Sequence, residues 1–384
     1  MPTPHVFVVA VENSADQLGA GLIEALRAKH AGIQISAIGG AAIEAKGAPT
    51  QVDISGLSIL GFSEALKAYP LVMRRVKETV AAILKSKADA AVLIDSWGFM
   101  IRVAQRLKRA GYAGKIIKYV APQVWAMREG RAKTLAESVD HLLSIHSFDA
   151  PYFEKHGLAV THIGNPMFDT DFGTGIRDRI LKHLGLTPEQ QICAVLFGSR
   201  ESELLQLRGV ITEAVANLSQ RYPNLVFVSP VSETLRRQLF PHAPSGKFTN
   251  IHLVEESWKF DVFAASNVAI ACSGTVTTQL ASVGIPAVVL YKLKPSTWWV
   301  AKKLYKPKYI SLINISADKA LMPELLQSAA SSQNVSNAVS AFLDNSNLSA
   351  TRSAELKAQA QIMRGNGGSA SGNAADKILY LIMT

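Results

Sequence analysis

The sequence predicts an α/β protein made of two doubly wound domains with parallel sheets, and three observations carry this expectation. Short β-rich apolar runs alternate with segments of helical length. The alternation stops at a turn-rich stretch, 165–178, and then starts again. With 384 residues, 48% hydrophobic and 18% charged, the chain is long enough for two cores and too apolar for wholesale disorder.

In the first half, VFVVAV (6–11), AVLID (91–95), IIKYVA (116–121), HLLSIH (141–146) and VTHIG (160–164) have the length and composition of buried strands. Amphipathic stretches such as 18–30 and 69–86 lie between them, so a first domain is expected over residues 1–165. The segment NPMFDTDFGTGIRD (165–178) is rich in turn formers and reads as a linker. Beyond it CAVLFG (193–198), LVFVSP (225–230), IHLVE (251–255), NVAIAC (267–272), AVVLY (287–291) and ISLIN (310–314) repeat the pattern, giving a second domain over 179–340. Residues 341–384 read as a helical tail broken by RGNGGSASGN (364–373), and its docking site stays open. Both halves open with a strand, a polar loop and a helix, which is a likeness of architecture and not a sequence repeat.

Composition removes several function classes. Cys193 and Cys272 sit in apolar runs, which argues against a disulfide framework and a Cys-rich metal site. The nine histidines show no H-x-x-x-H or H-E-x-x-H spacing and no acidic cluster resembles an Mg²⁺ or Ca²⁺ site, so no metal or other cofactor is expected. Forty Lys and Arg against 30 Asp and Glu leave +10, which favours an anionic partner: nucleic acid, an anionic membrane surface or a phosphorylated substrate. No helix-turn-helix, zinc-finger or RNA-recognition signature accompanies the charge, so no nucleic acid is expected. The first residues lack a basic n-region and a long apolar h-region, and no apolar run approaches a membrane span. A cytoplasmic protein that meets a membrane at most peripherally is expected.

The chemistry-bearing motifs stand at strand ends. Glu12, Ser14 and Asp16 follow the first strand, where open α/β sheets bind ligands; the competing reading is a helix capped by Ser14 or Asp16. Asp95 ends AVLID, a place that suits a general base and equally an Asp that caps the next helix. LFGSRESE (196–203) joins strand to helix through Gly198, Ser199 and Arg200, the ingredients of a diphosphate site. CSGTVTTQ (272–279) repeats this with Ser273, Gly274 and Thr275; each turn alone reads also as a plain capped loop. VAPQVWAMREGRAKTLAE (120–137) sets Trp125 before Arg128, Arg131 and Lys133, either to hold a phosphorylated acceptor or as core plus a solvated basic face. Two segments mix apolar and basic residues: 57–77, with Phe62, Leu71 and Met73, and 292–309, with Trp298 and Trp299. They suit a membrane interface, or core packing with a basic outer face.

Taken in order, VENSADQLGAGLI (11–23), LSILGFSEAL (57–66), AVLIDSWGF (91–99), YVAPQVWAMREGRAK (119–133), IGNP (163–166), FGSRESE (197–203), SGTVTTQLA (273–281) and SLINISADKALMPELLQ (311–327) resemble the lipid-A-disaccharide synthase family over nearly the whole chain. The resemblance implies an inverting glycosyltransferase of the GT-B fold, with two Rossmann-like domains facing a cleft. It implies transfer of 2,3-diacylglucosamine from UDP to the 6-hydroxyl of 2,3-diacylglucosamine 1-phosphate, on the cytoplasmic face of the inner membrane. Asp95, as base or essential carboxylate, and Arg200, as diphosphate contact, are then the catalytic pair. Glu12, Ser14, Asp16, Gln123, Trp125, Arg131 and Asn314 are expected to contact substrate, and Gly198, Ser199, Arg200, Ser273, Gly274, Thr275 and Gln279 to bind UDP. A homodimer is left open.

The chain departs from the family's usual pattern at Val11 and Ala15, where glycines are common, and at Gly98 and Met100, where Asp and Asn are common. Phe197 replaces a proline, and Gln279 stands where related folds often place a ribose-binding Glu. The mechanistic expectation therefore narrows to Asp95. Two alternatives stand beside it: another GT-B enzyme or epimerase using UDP-N-acetylglucosamine, and a non-catalytic nucleotide-sugar-binding protein at a membrane surface.

Overall fold

The computed structural model describes residues 3–57, 69–198, 201–239, 247–248, 250–365 and 367–384. It divides into two units, one of Met1–Asp169 with Met363–Thr384 and one of Thr170–Ile362.

The first unit holds a parallel sheet of β1 (His5–Val9), β2 (Gln34–Ile38), β3 (Ala90–Ile94), β4 (Lys115–Tyr119), β5 (His141–Ser144) and β6 (Val160–His162) in the order β2-β1-β3-β4-β5-β6. Helices cover both faces, so the central strands read as continuous apolar runs. The pleat sends Val6 and Val8 to one core and Phe7 and Val9 to the other. β1 lies between β2 and β3, so the winding direction reverses there and leaves a crevice at the carboxyl ends of β1 and β3.

The last helix, Ala370–Met383, belongs to this unit. Its Ala374, Ala375 and Ile378 are buried with Leu22, Ile23 and Leu26 of the helix Asn13–Lys29. The chain returns to the unit through a close crossing, where the Asn165 N–H donates to the Met363 carbonyl at 3.1 Å. Gly164 has φ +88°, and a Cβ there would lie 2.0 Å from the Arg364 carbonyl oxygen, so only glycine fits.

The second unit holds β7 (Gln191–Leu196), β8 (Leu225–Val231), β9 (Lys247–Phe248), β10 (Ile251–Glu255), β11 (Ser266–Cys272), β12 (Ala287–Tyr291) and β13 (Glu324–Leu326). Their order is β13-β12-β11-β7-β8-β10-β9, parallel apart from the short antiparallel β9. The direction reverses between β7 and β11, a second switch point. Cys193 and Cys272 lie buried on these two strands and are not joined in a disulfide.

One expected strand is corrected. Residues 310–314 do not form a strand; the helix Leu312–Ala317 begins there, and the edge strand is Glu324–Leu326. The cause is a polar clasp. Asn314 donates to the Met322 carbonyl at 2.7 Å and to Glu324 at 2.8 Å, and accepts the Met322 N–H at 2.9 Å. Ser311 and the Ile310 N–H also bond to Glu324, so a fully buried asparagine and a carboxylate hold this segment off the sheet. The strands that sequence patterning overlooks, β2, β9 and β13, are polar or short pieces at or beside sheet edges.

Candidate active site

At the first switch point β1 delivers Glu12 and β3 delivers Asp95. β3 is buried end to end and β1 from Val6 onward, because only long apolar runs survive helices on each face. Asp95 and Ser96 both adopt left-handed backbone, with φ 51° and 38°, and this sharp turn starts the helix Trp97–Arg109. Ser96 Oγ donates to Glu12 Oε1 at 2.6 Å, tying the two strand ends together. The half-buried Asp95 carboxylate accepts no hydrogen bond from the described residues, and the N-cap residue of the helix that follows, Ser96, makes no side-chain cap to it. The helix Asn13–Lys29 likewise begins after Glu12 without a side-chain cap, and Ser14 is exposed. Asp16 points elsewhere: its carboxylate accepts the N–H groups of Gly40 at 2.8 Å, Ala42 at 2.9 Å and Ile43 at 3.3 Å, holding the start of the helix Ala41–Ala45.

Beyond β4, Gln123 is exposed and Trp125 is buried, edge-on to Phe148 at 5.4 Å and to His146 at 6.3 Å. Arg131 lays its guanidinium 5.1 Å over the Trp97 ring, which brings it to the helix start next to Asp95. Behind Trp125, burial pushes the Asp149 carboxyl up to about 7 against a Ser144 hydrogen bond, and burial drives His146 down to about 4.

Sequence reasoning misses one charged group here. Lys118 lies in the middle of an apolar run on β4, is 2% exposed, and directs its ammonium to the Asp95 carbonyl at 2.7 Å. A lysine inside an otherwise apolar strand was the available signal.

In the second unit β7 runs into Phe197 and Gly198, the latter left-handed at φ 84°; Ser199 and Arg200 lie outside the described residues. β11 runs into Ser273 and Gly274 and then the helix Thr275–Val283, whose N-cap residue Gly274 supplies no side-chain cap. Its first N–H groups therefore face the carboxyl edge of the sheet, a place that favours anions. Thr277 Oγ1 donates back to the Gly274 carbonyl at 2.8 Å. Gln279 Oε1 is buried and accepts no hydrogen bond from the described residues. Asn314 is held in the clasp with Met322 and Glu324, its amide protons and oxygen engaged.

Of the residues expected at a membrane, Trp299 is 64% exposed and Trp298 half-buried on the helix Pro295–Leu304. Leu71 and Met73 are half-buried on the helix Tyr69–Ser86, and Phe62 lies outside the described residues. Among the described residues no helix is long and apolar enough to cross a membrane.

Two doubly wound, essentially parallel α/β sheets following one another along the chain are the GT-B architecture. The fold likeness is direct. UDP-GlcNAc 2-epimerase from Neisseria meningitidis, bound to UDP-GlcNAc, superposes with a TM-score of 0.61 at 12% identity, covering 99% of this chain and 100% of the other. The glycotransferase of kitacinnamycin gives 0.62 at 14%, covering 99% and 100%. In sequence, the family profile described as lipid-A-disaccharide synthetase matches residues 6–378. The lipid-A-disaccharide synthase of Paramagnetospirillum magneticum is 35% identical over 382 residues, 98% of this chain and 97% of that one. That of Pseudomonas aeruginosa is 31% identical over 378 residues, 98% of each. The chain belongs to the lipid-A-disaccharide synthase family and is a glycosyltransferase of lipid A biosynthesis.

Proposed function

We propose that the enzyme moves 2,3-diacylglucosamine from UDP to the 6-hydroxyl of 2,3-diacylglucosamine 1-phosphate with inversion, Asp95 acting as the base. The observation that carries this is the Asp95 carboxylate, held on a sharp turn beside Glu12 with no protein donor among the described residues. It is therefore available to take the proton of an attacking hydroxyl. Glu12, Ser14, Gln123 and Arg131 serve the acceptor, Arg131 through its phosphate.

UDP is assigned to the second unit, on Gly198, Ser199, Arg200, Ser273, Gly274 and Thr275, with Gln279 donating or accepting at a ribose hydroxyl. As the glycosidic bond breaks, charge grows on the diphosphate, and the Arg200 guanidinium and loop N–H groups stabilise it. The acyl chains of both sugars stay in the bilayer, and the enzyme works at the cytoplasmic face of the inner membrane.

The test is incubation with UDP-2,3-diacylglucosamine and its 1-phosphate acceptor, scored for UDP and the β-linked disaccharide 1-phosphate. Asp95→Asn is expected to keep UDP affinity and lose about 10²-fold or more in turnover, the size of a general-base contribution. Near-normal turnover in that variant removes Asp95 from the mechanism.

A further inference from the structure

The ends of β3 and β4 carry backbone that residues with side chains avoid. Asp95, Ser96 and the β-branched Val120 are all left-handed, Val120 with φ 73°. Such residues persist only where their surroundings hold them. Lys118, two residues before Val120, supplies that hold. Its Nζ donates to the carbonyl of Asp95 at 2.7 Å, of Tyr119 at 3.0 Å and of Leu93 at 3.4 Å. The Tyr119 carbonyl also accepts the Asp95 N–H at 2.9 Å, so both turns hang on one cluster of atoms.

The donor count matches the cradle. An ammonium offers three protons to three carbonyls, whereas a neutral amine offers two. Burial pushes the Lys118 ammonium down to about 7, and the carboxylates of Asp95 and Glu12, the charged groups that face it, oppose that shift. At 2% exposure the amine has no surface to offer a substrate.

We propose that Lys118 is a positioning residue for the transfer reaction, fastening the ends of β3 and β4 so that the Asp95 carboxylate is presented free at the carboxyl edge of the sheet. This rests on the reading of Asp95 as the base.

The test is a double-mutant cycle in the full-length enzyme with Lys118→Met, Lys118→Gln and Asp95→Asn. Lys118→Met is expected to lower kcat by about tenfold or more, as small misplacements of a catalytic group do, while UDP affinity and the KM of each substrate stay within about threefold. Lys118→Gln, whose amide returns two protons to the carbonyls, recovers part of that loss, and it carries the cycle if the methionine variant does not fold. Combined with Asp95→Asn, either substitution at 118 adds little further loss, because Lys118 acts through Asp95. Unchanged kcat in a folded Lys118 variant, or losses that multiply in the double variant, overturns the inference while leaving Asp95 as the base. Full turnover in Asp95→Asn alone overturns the reading of Asp95 itself.

Discussion

The carboxylates of Asp16 and Asp95 follow neighbouring strands of one sheet, yet their surroundings give them opposite duties. Asp16 is 7% exposed and accepts three backbone N–H groups from residues that begin 24 positions further along the chain. Removing its charge leaves one buried and two half-buried donors short. Asp16→Ala is expected to destabilise the protein by about 2 to 3 kcal/mol, read from the denaturant midpoint. Arg200 is assigned to the leaving group, so Arg200→Ala is expected to weaken UDP binding by about 1.5 to 3 kcal/mol, roughly 10- to 150-fold, by calorimetry. Unchanged affinity would show that the arginine serves something else.

The helix Pro295–Leu304 carries two of the residues expected at a membrane, Trp298 and Trp299. Trp299 and Leu304 are exposed, at 64% and 55%, and Lys303 Nζ stands 3.7 Å over the Trp299 ring. An exposed aromatic ring and an exposed leucine among lysines suit the boundary between water and an anionic membrane. The enzyme is expected to sediment with anionic vesicles at low salt, and partly at high salt, because basic residues contribute about 1 kcal/mol each that salt screens while apolar insertion remains. Trp298→Ser with Trp299→Ser is expected to abolish the salt-resistant part. Wild-type protein that stays in the supernatant at low salt sinks the idea.

For the molecule as a whole, buried titratable groups set a pH dependence. Burial holds His141 and His146 at about 4, so between pH 4 and 6.5 the unfolded chain binds protons that the folded one refuses, and stability rises with pH. His5 and His162 are also lowered by burial and act in the same sense. Asp149, raised to about 7 by burial, and Asp169, also raised by burial, act in the opposite sense, since above the ordinary carboxyl range the folded chain keeps protons that the unfolded one loses. The four histidines outnumber these two carboxyls. The thermal midpoint is therefore expected to climb by several degrees, roughly 5 °C, from pH 4 to 6.5. His146→Phe, which keeps the stack on Phe148, is expected to flatten that slope. A midpoint that falls across this window contradicts the sign.

What depends on neighbours along the chain is legible in the sequence. Runs of Val, Ile and Ala predict β1, β3, β7 and β11 because burial on both faces demands such residues, and the turn formers after them mark where a ligand-side loop begins. What depends on neighbours across the fold is not. β2 and β13 have one strand neighbour and weak patterning, so pairing partners far along the chain decide them. The segment 310–314 has the look of a strand, but Glu324 captures its polar groups. Glu12 and Asp95 each read as a residue at a strand end, and the pairing of β1 with β3 is what sets one beside the other. The last helix could not be docked from its own amphipathic pattern, because its apolar face states that it must be covered and not by what; the crossing of Gly164 and Gly365 delivers it to the first unit. Lys118 reads as an oddity in a strand, and it acquires a duty only when the carbonyls of Leu93, Asp95 and Tyr119 come to rest around its ammonium.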